Sequence, residues 1–146
     1  MFCVIDAVQL KKVYDMVEKQ EVVLVIKLSQ VCSKLDAKIL LGDNQMNREV
    51  ASACGADLMS DVLTFTKRKT LLLTGLTNVQ VVRTAELSDL CAIVFVRGKQ
   101  PGKEIIEAAK ENDIPLLVTC CTLFEACGRL YEMGIPGCPH KEFAHE

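Results

Sequence analysis

The chain has 146 residues, half of them apolar, and 17 basic side chains against 19 acidic ones give a formal charge of −2. That length and composition suit one domain with a substantial core. With Lys67-Arg68-Lys69 as the only basic cluster a nucleic-acid-binding surface is not indicated, and no apolar run approaches the ~18 residues of a membrane-spanning helix.

The N-terminal stretch MFCVIDAVQLKKVYDMVEK lacks the basic start, unbroken apolar region and small-residue cleavage site of a secretory signal, so a cytoplasmic location is expected. Val8 to Lys19 reads as an amphipathic helix through Leu10, Val13, Tyr14 and Val17, and Val22–Ile26 as a strand. Ser29 is placed to cap a short helix ending near Leu35. Ala37–Leu41 follows as a strand, and Gly42-Asp-Asn-Gln marks a turn. Arg48 to Gly55 is expected to be extended. Met59 to Phe65 reads as a short helix, with the Asp61 charge favoured by the helix dipole.

The second half is more regular. Thr70–Thr74 reads as a buried strand ended by Gly75. Thr77–Glu86 reads as a helix with Val79, Val82 and Leu87 near helical spacing. Cys91–Val96 is a second buried strand, ended by Arg97-Gly98. Pro101–Glu111 reads as a helix opening with proline, with Ile105, Ile106 and Ala109 on one side. Ile114–Val118 is a third strand and Thr122–Met133 a further helix. Continuous apolar strands alternating with helices indicate a three-layer α/β fold, its mainly parallel sheet covered on both faces. No repeat, linker or low-complexity segment divides the chain.

The eight cysteines, at positions 3, 32, 54, 91, 120, 121, 127 and 138, contain no C-x-x-C spacing. Cys32, Cys54 and Cys91 lie among apolar or small residues, where a free thiol behaves as a small hydrophobe. In CCTLFEAC, Thr122-Leu-Phe-Glu125 fits a capping box: the Thr122 hydroxyl accepts from the Glu125 amide while the Glu125 carboxylate reaches back. Phe124, Cys127 and Leu130 or Tyr131 then follow at helical spacing, which makes Cys127 a core residue.

The ordered pieces Lys27-Leu-Ser-Gln-Val through Leu35, Leu41-Gly-Asp43, Arg48-Glu-Val, Asp57-Leu-Met-Ser-Asp-Val62, Val94-Phe-Val-Arg-Gly98, Pro101, Ile114-Pro115 and Thr122-Leu-Phe-Glu125 together resemble the DRTGG domain. That module is associated with the N-terminal part of HPr kinase/phosphorylase, with some phosphate acetyltransferases and with CBS-containing pyrophosphatases. The resemblance implies an α/β fold related to the N-terminal domain of muramyl ligases, usually a homodimer, in a regulatory or ligand-binding role. It divides the chain into an N-terminal helix-strand extension (1–26), the DRTGG-like domain (27–135) and a C-terminal tail (136–146). The family's Thr-Gly-Gly loop is here Arg97-Gly98-Lys99, with one glycine replaced by a charged side chain.

A kinase reading fails directly. The Gly-Lys pairs, Gly98-Lys99 and Gly102-Lys103, are followed by Gln100 and Glu104, so the P-loop hydroxyl that would hold magnesium is missing. A metal site is not expected, because adjacent Cys120 and Cys121 point apart and both histidines, His140 and His145, lie in the final tail. Nor does a cysteine have a base in a recognised pattern, and Asp43, Glu49, Asp57 and Asp61 are scattered. No catalytic group, cofactor or metal is therefore expected.

In open parallel sheets, ligands sit beyond the carboxyl ends of the strands, where helix N-termini attract anions. Three strand-to-helix turns meet that description: 74–78, 97–101 and 119–122. The candidate ligand-binding residues are Thr74, Gly75, Thr77, Asn78, Arg97, Gly98, Lys99, Thr119 and Thr122. They suit a small anionic or phosphorylated metabolite, sensed by a non-enzymatic homodimeric module. The alternative is a thiol-based redox sensor using Cys120 and Cys121, which precede a helix N-terminus, a setting that favours a thiolate.

Overall fold

A computed structural model describes residues 6–12 and 25–139 of the chain. Residues 7–12 are helical (α1), in line with the first expected helix; its remainder, the expected strand up to residue 24, Cys3 and both histidines lie outside the described residues. The next elements are β1 (Ile26–Lys27), α2 (Leu28–Lys34), β2 (Lys38–Leu41), β3 (Glu49–Val50), β4 (Ser52–Gly55) and α3 (Met59–Phe65). They are followed by β5 (Thr70–Thr74), α4 (Val79–Leu87), β6 (Ala92–Phe95), α5 (Lys103–Glu111), β7 (Leu116–Val118) and α6 (Leu123–Glu132).

The apolar runs Leu71–Leu73, Ala92–Val96 and Leu116–Leu117 are almost fully buried, because both faces of their sheet are covered. The five-stranded sheet has the order β2-β7-β6-β5-β4. β4, β5, β6 and β7 pair in parallel, and β2 runs antiparallel at the edge beside β7. Successive parallel strands step in one direction, so right-handed crossovers place α3, α4 and α5 on the same face. There Met59, Val62, Val81, Val82, Ala85, Ile105 and Ala109 pack against Leu72, Ile93, Phe95 and Leu116. The other face carries α2 and α6, whose Leu28, Val31, Ala126 and Leu130 pack on Leu71, Leu73, Val94 and Leu117. A two-stranded antiparallel sheet, β1 with β3, closes that side.

The helices leave through left-handed residues. Asp36, Asp89, Asp113 and Gly134 follow α2, α4, α5 and α6 with positive φ. At each, two backbone bonds close the helix end, as in Leu90 N–H to the Ala85 carbonyl (2.9 Å) with Asp89 N–H to that of Glu86 (3.2 Å).

Four sequence expectations need correction. Ser29 lies inside α2 and Lys27 precedes it, its amide donating to Gln30 Oε1 at 2.8 Å; burial of Leu28 draws the helix start forward. Pro101 stands ahead of α5, which begins at Lys103 after Gly102. In α4 the buried stripe is Val81, Val82, Thr84 and Ala85, leaving Leu87 exposed. In α6 the small Ala126 sets the approach to the sheet with Leu130, so Phe124 and Tyr131 are 89% and 74% exposed. Cys127 is half-buried and its Sγ rests against Gly55, as its expected inward position requires.

Candidate functional site

The carboxyl ends of β4 to β7 lie along one sheet edge, and the strand-to-helix turns gather there. The turn after β5 is organised by Asp57, which the sequence reading left unassigned. Its Oδ1 accepts from Thr74 Oγ1 (3.0 Å) and from Gly75 N–H (2.8 Å). Thr74, fully buried, also accepts from Leu76 N–H at 3.2 Å. Its hydroxyl is therefore engaged in building the loop. An aspartate two residues past a strand of small residues is the only trace of this arrangement in the sequence.

The turn after β6 holds Arg97 and Gly98 in consecutive left-handed conformations, with φ of 57° and 63°. Lys99 N–H donates to the Val96 carbonyl at 3.1 Å, closing a tight turn of the primed type. α5 lies on one face of the sheet and α6 on the other, so the chain parts between the loops after β6 and β7. This turn seals the parting. Arg97 N–H donates to the Cys121 carbonyl and Gly98 N–H to that of Thr119, both at 2.8 Å. These amides are engaged within the protein, and the free chemistry of the turn is in the side chains of Arg97 and Lys99, both exposed. The Arg97 guanidinium lies over Gly75, where a Cβ would be 2.5 Å from Nη2. Among the described residues no carboxylate pairs with it.

In the turn after β7, the buried Thr119 donates its hydroxyl to the Leu35 carbonyl (2.7 Å) and accepts from Cys121 N–H (3.2 Å). Thr122 is the N-cap of α6 and accepts from Glu125 N–H at 3.3 Å. The expected reciprocal bond is replaced: the Glu125 carboxylate turns to Arg129, four residues on, at 2.6 Å. A charged partner outcompetes a neutral amide here. Cys120 is exposed beside Gly98, whereas Cys121 is half-buried with Sγ 3.9 Å from the Leu35 carbonyl. The vicinal thiols are thus divided between solvent and interior.

An open groove of about 530 Å³ lies between the N-termini of α4 and α5, lined by Thr77, Asn78, Val79, Gly102, Lys103, Glu104 and Ile105. No side chain caps either helix. Among the described residues, the amides of Val79, Gln80, Lys103 and Glu104 have no protein partner. Two nine-residue helices thus present the positive ends of their dipoles to one space. Of the residues expected at a ligand site, Thr77 and Asn78 line this groove; Arg97 and Gly75 form a ledge on the same sheet edge, and Thr74, Thr119 and Thr122 serve the framework. The signal for Gly102 and Lys103 was present in Pro101-Gly102, but it marked a helix start two residues early.

Elsewhere, burial pushes the Cys91 thiol up to about 12 and the Cys54 thiol up to about 11, and raises Cys32 and Cys127. Lys69, hydrogen-bonded to Glu49 at 2.6 Å, holds that carboxyl below its usual range. Among the described residues no group of three or more His, Cys, Asp or Glu side chains could hold a metal ion, and no helix is long and apolar enough to cross a membrane.

Residues 30–133 match the DRTGG domain family. Among solved structures, the chain is similar to the CBS and DRTGG domains of the regulatory region of Clostridium perfringens pyrophosphatase, complexed with its activator diadenosine tetraphosphate. The TM-score is 0.61 at 20% identity, over 75% of this chain and 47% of that one. At that identity the likeness is one of fold, and the chain spans about half the length of the structure it matches. No curated protein matches the chain.

Proposed function

The chain belongs to the DRTGG-domain family, and on that premise we propose that it is a non-catalytic regulatory module that binds a small anionic, phosphate-bearing ligand. The observation that carries this reading is the pair of uncapped helix N-termini opening into one groove beside Lys103. Four amides without a partner among the described residues and two dipoles favour negative charge there. Glu104, also lining the groove, opposes it and favours a ligand whose phosphate sits toward Thr77, Asn78 and Lys103. Arg97, exposed and without an acidic partner among the described residues, supplies a second anchor for a ligand long enough to reach along the edge. Binding of a dinucleotide polyphosphate by the regulatory region of similar fold supports the ligand class.

The same reading places the protein in the cytoplasm as a homodimer. Seven unpaired thiols among the described residues suit a reducing compartment, and the exposed Phe124 and Tyr131 offer apolar surface for a second copy. A thiol sensor at Cys120 and Cys121 is the weaker reading, because only Cys120 is exposed.

Thermal unfolding with inorganic pyrophosphate, ATP and diadenosine tetraphosphate as probes tests the site. A ligand at a hundredfold its Kd adds about 2.7 kcal/mol of stability. The expected result is a rise in Tm that shrinks in Lys103→Ala and in Arg97→Ala. No rise with any of the three probes would remove the proposal. Light scattering that finds a monomer at micromolar concentration would remove the dimer.

A further inference from the structure

The edge strand β4 carries a different grouping of chemistry. After α6 the chain turns at Gly134 and lays residues 135–138 alongside β4. Ala53 N–H donates to the Pro136 carbonyl at 3.0 Å, and Ala53 and Gly137 form a parallel bridge. The next pair in that register is Cys54 and Cys138. Side chains alternate along a strand, so in parallel register the two thiols emerge on the same face. Cys138 Sγ lies 3.9 Å from the Ala53 carbonyl, and after burial the Cys138 thiol is the next cause of the raised Cys54 thiol. Neighbouring strands stand about 4.8 Å apart, inside the ~4.4–6.8 Å range of Cα separations that a disulfide spans.

The third thiol of the region is kept apart. Cys127 packs on the opposite face of β4, against Gly55, with the core that includes Leu71 and Leu73, whereas Cys54 packs with the core on the α4 side. Cys54 and Cys138 are both half-buried, unlike Cys91 in the core. Two thiols more than eighty residues apart in the chain thus meet at a strand edge, just past Ile135, which is buried in the core, and the exposed Pro136 and Gly137. We propose that Cys54 and Cys138 form a reversible dithiol–disulfide pair, oxidised by a hydroperoxide, that staples residues 135–138 onto β4.

The reaction balances with one equivalent of peroxide. With hydrogen peroxide as the hydroperoxide, one sulfur attacks a peroxide oxygen and becomes a sulfenic acid, breaking the O–O bond and releasing the first water (an organic hydroperoxide would release its alcohol instead). The other thiol attacks that sulfur, loses its proton and expels the hydroxyl as the second water, leaving the S–S bond. Burial disfavours the Cys54 thiolate, so Cys138 is the sulfur the oxidant meets and Cys54 resolves the intermediate. A dithiol reductant restores both thiols. In the reduced protein the rest of the segment, residues 136–138, can lift from β4 while the buried Ile135 stays in the core, baring a strand edge, the surface on which another chain pairs. Oxidation closes it. The proposal uses no residue of the anion groove.

The test uses the full chain, reduced, desalted, treated with one equivalent of hydrogen peroxide, and quenched with N-ethylmaleimide before non-reducing tryptic mapping. Cleavage after Arg48, Lys67, Arg129 and Lys141 places Cys54 and Cys138 on separate peptides, each without another cysteine. The expected product is peptide 49–67 linked to peptide 130–141, two hydrogens lighter than their sum, cleaved by dithiothreitol. It should persist in the double variant Cys120→Ser, Cys121→Ser and vanish in Cys138→Ser, which is peripheral enough to fold. The oxidised wild type should unfold at a higher temperature than the reduced protein, with no such difference in Cys138→Ser. A dominant Cys120–Cys121, Cys127–Cys138 or intermolecular disulfide, or sulfinic acid without any cross-link, would overturn the proposal.

Discussion

The guanidinium of Arg97 lies directly over the α-carbon of Gly75, with Nη2 2.5 Å from the place a Cβ would occupy. Gly75 has no positive φ, so its backbone accepts alanine; what it needs is the absence of a side chain beneath the arginine. Arg97 for its part pays a backbone strain for its left-handed conformation, of the kind that gathers at functional sites. Gly75→Ala should therefore move the exposed guanidinium and leave the fold alone, changing stability by about 0.5 kcal/mol or less. The Tm rise produced by a polyphosphate probe should fall as far as in Arg97→Ala. A loss of ~2 kcal/mol in Gly75→Ala, measured by urea unfolding, would show that the contact is structural.

Asp57 is the hub of the neighbouring turn, because one carboxylate oxygen accepts from both Thr74 Oγ1 and Gly75 N–H. Asp57→Ala would leave the hydroxyl of the fully buried Thr74 without its acceptor. Orphaning a buried donor costs about 1–3 kcal/mol. Asp57→Asn keeps an oxygen in place and should lose less than half as much. Equilibrium denaturation of the two variants separates the cases, and equal losses would mean that the charge, rather than the acceptor geometry, matters.

The parallel strands β5, β6 and β7 were legible because they are short unbroken apolar runs between turn residues, a pattern that only a sheet covered on both faces produces. The antiparallel direction of β2 was not, since strand direction is decided by pairing with Leu116–Val118 far along the chain. Helix phase failed where small residues win: Ala126 buries more usefully than Phe124 because it lets α6 lie close to the sheet. At the candidate site, the spacing of glycines and threonines located the sheet edge. It could not tell that the hydroxyls of Thr74 and Thr119 close internal bonds, since those partners, Asp57 and the Leu35 carbonyl, are 17 and 84 residues away.

Asp113 ends α5 with φ of 55°, a conformation that favours glycine. Its carbonyl accepts from Arg48 Nη2 (2.7 Å) and from Gln45 Nε2 (3.4 Å), contacts that belong to the backbone and survive substitution. Asp113→Gly relieves the left-handed strain and removes a negative charge from the negative end of a helix. Set against the greater freedom of glycine in the unfolded chain, a gain of about 0.5 kcal/mol is expected. Asp113→Val, with a branched Cβ in the same conformation, should lose about 1–2 kcal/mol. If both variants unfold at the wild-type urea midpoint, the left-handed position carries no strain.

The Cys91 thiol, 6% exposed and pushed up to about 12 by burial, makes stability depend on alkaline pH. Its ordinary value is 9.0, so the folded state holds the proton more tightly than the unfolded chain does. A raised folded value means that the stabilisation is complete below pH 9 and is lost as pH climbs toward 12. Within that window the slope for one thiol approaches about 1.4 kcal/mol per pH unit. Cys91→Ala has nothing to titrate and should flatten the curve of unfolding free energy against pH between 9 and 11, despite a lower starting stability from the lost sulfur. The Arg48 guanidinium donates to the Cys91 carbonyl at 3.2 Å and lowers the thiol slightly. Arg48→Met should accordingly extend the alkaline limb to higher pH at the same limiting slope, and a curve identical to the wild type in Cys91→Ala would place the titrating group elsewhere.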